Sequence, residues 1–164
     1  METKDLHYYT QDIDTVFRVF HDPEFIKAKY EGVGARNIEL LECSESGGTY
    51  TIEVKREVPA DVPGILKKFL GAWNKVKQTE EWRGETSDVR TCQLDIDIMS
   101  VPVSVSGTMT LRLEGNGCVN DVRINVTCGI PLIGGKLAAF VANDTKKSMD
   151  AEYQFIKDYL ANNS

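Results

Sequence analysis

The chain has 164 residues, of which 41% are hydrophobic and 27% are charged, and its formal net charge is −6. These values are typical of one globular domain, which at this length buries roughly 70% of the surface that its unfolded chain exposes. A negative net charge disfavours attraction to nucleic acid or to anionic lipid through the overall field of the molecule. We therefore expect a single domain over residues 1–164 that binds no nucleic acid.

The cysteines and the N-terminal residues indicate the compartment and argue against a metal site. The four cysteines include no Cys-x-x-Cys pair, and with two histidines they assemble no zinc-binding spacing. The first residues lack the apolar segment of a secretion signal, and no stretch approaches the ~18 apolar residues of a membrane span. We expect a cytoplasmic protein with reduced thiols, no bound metal and no cofactor.

The N-terminal part of the chain predicts one short strand followed by two short helices. Residues 6–10 are rich in β-prone types, and the acidic residues Asp12 and Asp14 are typical of a helix start. The segment Asp22-Pro23-Glu24 predicts a second helix start, because Asp can cap it and Pro is tolerated where no N–H is needed. The first helix presents one apolar face, formed by Ile13, Val16, Phe17 and Phe20.

From residue 38 the pattern changes to alternation, which indicates strands with one buried face. A strand with Ile38 and Leu40 turns at Gly47-Gly48 into a strand whose inward residues include Tyr50, Ile52 and Val54. Four further strands are predicted, and their inward residues are Val76, Gln78, Glu80 and Trp82; Cys92, Leu94, Ile96 and Ile98; Val103, Val105, Met109, Leu111 and Leu113; and Val122, Ile124, Val126 and Cys128.

Two further helical segments are predicted. Within residues 65–73 the apolar side chains recur at helical spacing, which predicts an amphipathic turn or two of helix inserted between two strands. This segment is either a gate over an interior space or a fixed lid. Residues 132–160 predict one long final helix with an apolar stripe made of Leu137, Phe140, Val141, Ala151, Phe155 and Tyr159.

This order of elements has a geometric consequence. Antiparallel strands joined by tight turns keep one face in water and bury the other, and here a single long helix must cover the buried face. A curved sheet that bends around one helix tends to leave an interior space. The succession resembles the START-like (SRPBCC) superfamily, the helix-grip proteins that include birch-pollen-allergen-like proteins, lipid-transfer domains and polyketide cyclases.

Three segments resemble a narrower bacterial family, catalogued as domain of unknown function 2505. They are REVPADVP at residues 56–63, EW at residues 81–82 and IPLIGGKL at residues 130–137. The resemblance implies an α+β helix-grip fold, in which a curved antiparallel sheet of about seven strands surrounds a long C-terminal helix and two short helices follow the first strand. It also implies a cavity for an apolar ligand, and it brings no established catalytic residues.

We expect the ligand site on the inward faces of these elements. Large or flexible side chains at mid-element positions are the first candidates for lining the cavity, with plain core packing as the alternative. The candidate ligand-binding residues are Ile52, Val54, Arg56, Phe69, Trp73, Glu80, Trp82, Leu94, Ile96, Val105, Met109, Leu111, Val126, Phe140, Val141 and Phe155.

Two charged residues continue inward series, Arg56 after Val54 and Glu80 before Trp82. A buried charge is unfavourable unless it is paired, so both residues need a reason to face the interior. One hypothesis is a polar anchor that orients the head group of a ligand. The alternative is an ion pair at the strand ends that binds nothing.

Three functions remain open from the sequence. The first is binding or transport of a small hydrophobic molecule of lipid, isoprenoid or polyketide type. The second is a cyclase or hydrolase acting on such a molecule with Arg56, Glu80 and Tyr50 as polar participants, although no catalytic residue can be assigned. The third is a protein- or membrane-interaction module with a collapsed cavity, which makes transient membrane contact through residues 65–73.

Overall fold

Seven strands and three α-helices make up residues 1–163, the part of the chain that the computed structural model describes, with the side chains of Glu85 and Thr86 outside that description. In chain order they are β1 (Glu2–Tyr9), α1 (Ile13–Phe20), α2 (Pro23–Gly32), β2 (Arg36–Ser46), β3 (Thr49–Pro59), β4 (Trp73–Thr86), β5 (Val89–Ile98), β6 (Ser104–Glu114), β7 (Gly117–Thr127) and α3 (Gly134–Asn162). The predicted α+β helix-grip architecture is confirmed.

All seven strands form one antiparallel sheet in the order β1-β7-β6-β5-β4-β3-β2. From β2 to β7, strands that are consecutive in the chain are neighbours in the sheet. The first strand, β1, pairs with β7 and forms the edge of the sheet opposite β2. The predicted turn at Gly47-Gly48 forms with φ values of 59° and 85°, a region that glycine adopts without strain. The register places inward side chains in rows, so that Trp82 lies opposite Cys92, and Cys92 opposite Met109.

The two short helices begin where their acidic residues predict. The Asp12 carboxylate accepts a hydrogen bond from the backbone N–H of Thr15 at 2.8 Å, and Asp22 accepts one from Glu24 at 3.0 Å. Each bond satisfies an N–H that lacks a partner inside the helix. No helix within residues 1–163 combines the length and apolarity needed to cross a bilayer.

The buried side chains form two clusters. One contains α1, α2, the C-terminal end of α3 and the inner face of β3, and its members include Phe25, Tyr30 and Trp82. The other lies under the N-terminal half of α3 and includes Leu94, Ile124 and Leu137. Both clusters occupy the space between the sheet and α3, which positions the interior site.

The predicted amphipathic turn or two of helix over residues 65–73 forms in part. A 3-10 turn forms at Gly64–Leu66, and the backbone N–H groups of Phe69 and Leu70 both donate to the Leu66 carbonyl. Trp73 is instead the first residue of β4, where it pairs with Pro59. Trp73 is 39% exposed, and the Arg36 guanidinium lies 3.8 Å from the centre of its ring. The ladder with β3 and this cation–π contact favour a strand over continued helix. The helical turns therefore end by Leu70, and a gating role for the segment stays a prediction.

The apolar stripe of α3 differs in part from the prediction. Ala151 is exposed, and Ile156 and Leu160 are buried instead. The helix begins at Gly134, because Leu132 has a positive φ of 68° that does not continue a helix. Leu113, predicted to face inward, is exposed near the end of β6.

Candidate functional site

An interior cavity lies between the concave face of the sheet and α3. Its volume is about 150 Å³, counted as the space open to the centre of a water molecule. Apolar side chains from β5, β7 and α3 form much of its wall, among them Leu94, Ile96, Val122, Ile124 and Val141. A void of about 150 Å³ by this measure, with such a lining, accommodates a molecule of at least the size of benzene.

Nine of the predicted site residues line this cavity, and their assignment as ligand-binding residues stays a prediction. They come from β3 to β6 and from α3, and they are Ile52, Arg56, Glu80, Trp82, Leu94, Ile96, Met109, Phe140 and Val141. The strand residues among them could be predicted to face the cavity because every second residue of a strand points to the same face of the sheet.

The other seven lie outside the described lining. Val54 and Leu111 pack in the cluster around Trp82, while Val105, Val126 and the half-buried Phe69 belong to the cluster under α3. Trp73 stacks under Arg36 at the start of β4. Phe155 faces α2, where its ring is tilted against that of Phe25 with 6.1 Å between their centres. These side chains pack the protein around the cavity.

Several polar lining residues were missing from the sequence-based set. On the sheet they are His7 and Tyr9 of β1 and Asn120 of β7, and on the helices they are Lys29, Tyr30, Asp144, Glu152 and Tyr153. Asn120 carried a readable signal, because it continues the inward series of Val122 and Ile124 by one further step of two residues.

The predicted pair of Arg56 and Glu80 is joined through a third side chain. The Arg56 Nη2 donates to Gln78 Oε1 at 2.9 Å, and the Gln78 amide donates to Glu80 Oε2 at 2.8 Å. The indole N–H of Trp82 donates to the other Glu80 oxygen at 2.9 Å. Arg56 and Glu80 are each only 8% exposed. This chain of bonds holds two buried charges in fixed positions on neighbouring strands.

A second pair of charges closes the same side of the cavity. The Lys29 ammonium lies 3.5 Å from a carboxylate oxygen of Glu152. Lys29 and Arg56 both approach the ring of Tyr30, at 4.5 Å and 4.1 Å from its centre. The two cations are thus balanced by two carboxylates, with the aromatic ring between them.

Three polar atoms of lining residues are buried and make no hydrogen bond within the described part of the chain. They are Arg56 Nη1, Tyr9 Oη and Asn120 Oδ1. Tyr9 is 5% exposed and Asn120 is 3% exposed. Burial raises the pKa of Tyr9, reinforced by repulsion from Tyr153, so its hydroxyl stays protonated. Buried polar atoms are nearly always paired, so three exceptions around one cavity make it the candidate site.

Burial sets the protonation of two titratable groups in and beside the cavity. Burial lowers the pKa of His7, against the opposing effect of Asp5, and the ring stacks on Tyr153 with 4.2 Å between centres. Burial also raises the pKa of Cys92, and the charge of Glu80 raises it further, so the thiol stays protonated at neutral pH.

Comparison with known proteins places the fold and the family. A family model described as "Protein of unknown function (DUF2505)" matches residues 6–160. An uncharacterised protein of Mycobacterium tuberculosis is 24% identical over 163 residues, which cover 94% of each chain. A crystal structure from Thermus thermophilus matches all of both chains with a TM-score of 0.70 and 17% identity.

A further structural relative is a STAR-related lipid transfer protein from Xanthomonas axonopodis. The match has a TM-score of 0.60 and 13% identity, and it covers 94% of this chain and 85% of the other. At such identities these structures establish the START-like fold. The family model covers nearly the whole chain, and the protein belongs to the DUF2505 family.

Proposed function

We propose that this protein binds a small hydrophobic molecule in the interior cavity and orients it through Arg56. The observation that carries the proposal is an apolar cavity bounded by a buried guanidinium group, of which one nitrogen has no hydrogen-bond partner. Ligand sites are typically concave, mostly apolar and equipped with few convergent polar groups. The fold shared with a STAR-related lipid transfer protein supports the same kind of ligand.

Arg56 is proposed as the anchor because its Nη1 has no hydrogen-bond partner within the described residues. Its Nη2 is bonded to Gln78, and its charge is balanced through Gln78 by Glu80. The free Nη1 donor is therefore suited to an acceptor oxygen on a ligand whose apolar part lies against Leu94 and Ile124. Removal of that apolar part from water supplies the main driving force, at about 25 cal/mol per Å².

Isothermal titration calorimetry with acetophenone, a ketone with one aromatic ring, tests the proposal by measuring its affinity for the protein. Replacing Val122 by Phe fills the cavity and should abolish binding, whereas Thr108→Phe adds the same ring on the exposed face of β6 and should not change it. Equal binding by both variants would show that the ketone binds elsewhere and would contradict the proposal.

The role of Arg56 needs its own variant. Arg56→Met keeps most of the apolar stem but removes the donor, so affinity for acetophenone should fall about ten- to a hundredfold, the effect of one hydrogen bond to a charged group. Affinity for toluene, which has no acceptor, should stay unchanged. An Arg56→Met protein that keeps full affinity for the ketone would eliminate the anchor.

Transient membrane contact is a second proposal, supported by exposed apolar tips. Ile65 is 57% exposed and Leu132 is fully exposed, and both lie in loops whose inner residues pack in the cluster under α3. We expect the protein to sediment with vesicles of phosphatidylcholine, a lipid without net charge, and we expect Leu132→Ser to weaken this binding. The control is Leu113→Ser, an exposed apolar residue near the opposite end of the sheet. Equal effects of both variants would contradict a specific contact.

A further inference from the structure

The cavity has two polar ends on different parts of the sheet. Arg56 of β3 and Glu80 of β4 form the first end, and Tyr9 of β1 and Asn120 of β7 form the second. Strands β4, β5 and β6 separate β3 from β7, so the backbones that carry Arg56 and Asn120 are about 19 Å apart along the curved sheet, at about 4.8 Å per strand. The long side chains that reach inward from both ends shorten this span.

The second end is formed by neighbouring strands. Asn120 lies directly opposite His7, and Tyr9 follows two residues later on the same face of β1, which makes Tyr9 and Asn120 diagonal neighbours. The Asn120 amide nitrogen contacts Met109 Sδ at 3.6 Å, whereas its carbonyl oxygen and the Tyr9 hydroxyl have no partner. Two buried, unpaired polar atoms at adjacent positions destabilise the empty protein.

The chemistry of these two atoms defines what would satisfy them. The Asn120 oxygen only accepts hydrogen bonds, whereas the Tyr9 hydroxyl donates and accepts. A hydroxyl group on a ligand fits both, because it can donate to Asn120 and accept from Tyr9. A carbonyl group would satisfy Tyr9 alone and would leave the Asn120 oxygen unpaired.

The charged residues of the cavity lining limit the net charge that a ligand can carry. Lys29 and Arg56 supply two positive charges, and Glu80 and Glu152 supply two negative charges. Asp144 lines the same cavity, and its carboxyl group adds further negative charge whenever it ionises. A ligand carboxylate would bring a buried charge without a counter-charge, which is unfavourable. A neutral acceptor oxygen satisfies Arg56 Nη1 without that penalty.

We propose that the ligand is a neutral molecule with an apolar body and two oxygen functions, a hydroxyl held by Tyr9 and Asn120 and a carbonyl or second hydroxyl held by Arg56. This inference rests on the proposed function, since it assumes that the cavity is the ligand site. It adds the second recognition point and excludes acidic ligands such as fatty acids.

The test compares probes that differ by one group. 4-Hydroxyacetophenone carries both oxygen functions, acetophenone lacks the hydroxyl, and 4-hydroxybenzoate replaces the ketone by a carboxylate. The same three patterns on naphthalene cover a longer span between the two ends. We expect the hydroxyketone to bind about ten- to a hundredfold more tightly than the ketone in one of the two series, the effect of two added hydrogen bonds. We also expect it to bind more tightly than the acid.

Variants assign the effect to the second end. Tyr9→Phe and Asn120→Leu should each reduce the advantage of the hydroxyketone, measured as the ratio of the dissociation constants of the ketone and the hydroxyketone on the same variant. Tyr8→Phe is the matched control, because the Tyr8 side chain is half exposed on the opposite face of β1 and its loss of a hydroxyl should change nothing.

The outcomes separate this inference from the proposed function. Equal binding of ketone and hydroxyketone in both series, or an advantage that survives Tyr9→Phe and Asn120→Leu, overturns the two-ended assignment and leaves the cavity as a ligand site. Binding of the acid at least as tight as that of the hydroxyketone overturns the neutral ligand. If no neutral probe of either series binds, both proposals fall.

Discussion

Replacing Tyr9 by Phe should stabilise the empty protein, whereas the same replacement at Tyr153 should destabilise it. The two rings are neighbours, with 5.7 Å between their centres and an angle of 90°. The Tyr153 hydroxyl accepts from the backbone N–H of Tyr8 at 2.8 Å and donates to the Tyr8 carbonyl at 3.1 Å. The Tyr9 hydroxyl is buried without a partner.

The magnitudes follow from these contacts. An unsatisfied buried hydroxyl costs about 1–3 kcal/mol, and the small void left by its oxygen offsets part of the gain, so Tyr9→Phe should add about 1 kcal/mol to the free energy of unfolding. Tyr153→Phe removes two hydrogen bonds that tie α3 to the edge strand β1, a loss of about 1–3 kcal/mol. For a domain of this length, each kcal/mol moves Tm by about 2–4 °C.

The assay is urea denaturation of ligand-free protein, followed by circular dichroism, with both variants beside the parent chain. Saturating 4-hydroxyacetophenone should then stabilise the parent more than Tyr9→Phe, because the tighter complex gains more from mass action. A Tyr9→Phe protein that loses as much stability as Tyr153→Phe would refute the reasoning, since its hydroxyl would then have a partner in the empty state.

Two further predictions concern packing and pH. A Cβ atom at Gly107 would overlap the Arg123 carbonyl on β7, so Gly107→Ala should lower the free energy of unfolding by about 1–3 kcal/mol or more, measured by urea denaturation. The control is Gly135→Ala, whose added Cβ contacts no other atom and should leave stability unchanged or raise it. Burial lowers the pKa of His7 and His21 below 6.5. The unfolded chain therefore binds more protons, and stability should fall from pH 7.5 to 5.5, by at most ~1.4 kcal/mol per pH unit per histidine. Glutamine at both positions should flatten this dependence, and an unchanged slope would contradict it.

The strands and half of the candidate site could be predicted because alternation is a local signal. Arg56 on β3, and Glu80 and Trp82 on β4, were each identified by continuing the inward series of their own strand. The register and their burial confirm that they face inward. The turn at Gly47-Gly48 was equally local, since its positive φ values select glycine. Such features need no knowledge of distant parts of the chain.

The second polar end depends on a long-range pairing that the sequence does not reveal. Tyr9 and Asn120 meet because β1 pairs with β7, more than 100 residues away. The helical turns predicted over residues 65–73 end before Trp73 for a related reason, because Trp73 contacts Pro59 and Arg36, which are distant in sequence. On α3, a small error in the assumed number of residues per turn accumulates along the 29 residues of the helix. The predicted apolar stripe therefore included the exposed Ala151 and omitted the buried Ile156.

Where the ligand binds is the central question, and intermolecular nuclear Overhauser effects from acetophenone to methyl groups of the protein answer it most directly. The cavity site predicts contacts from the ring protons to the methyl groups of Ile96, Met109 and Ile124, which line the interior. Contacts only to the exposed methyl groups of Ile65 and Leu132 would place the probe on the surface and contradict an interior ligand site.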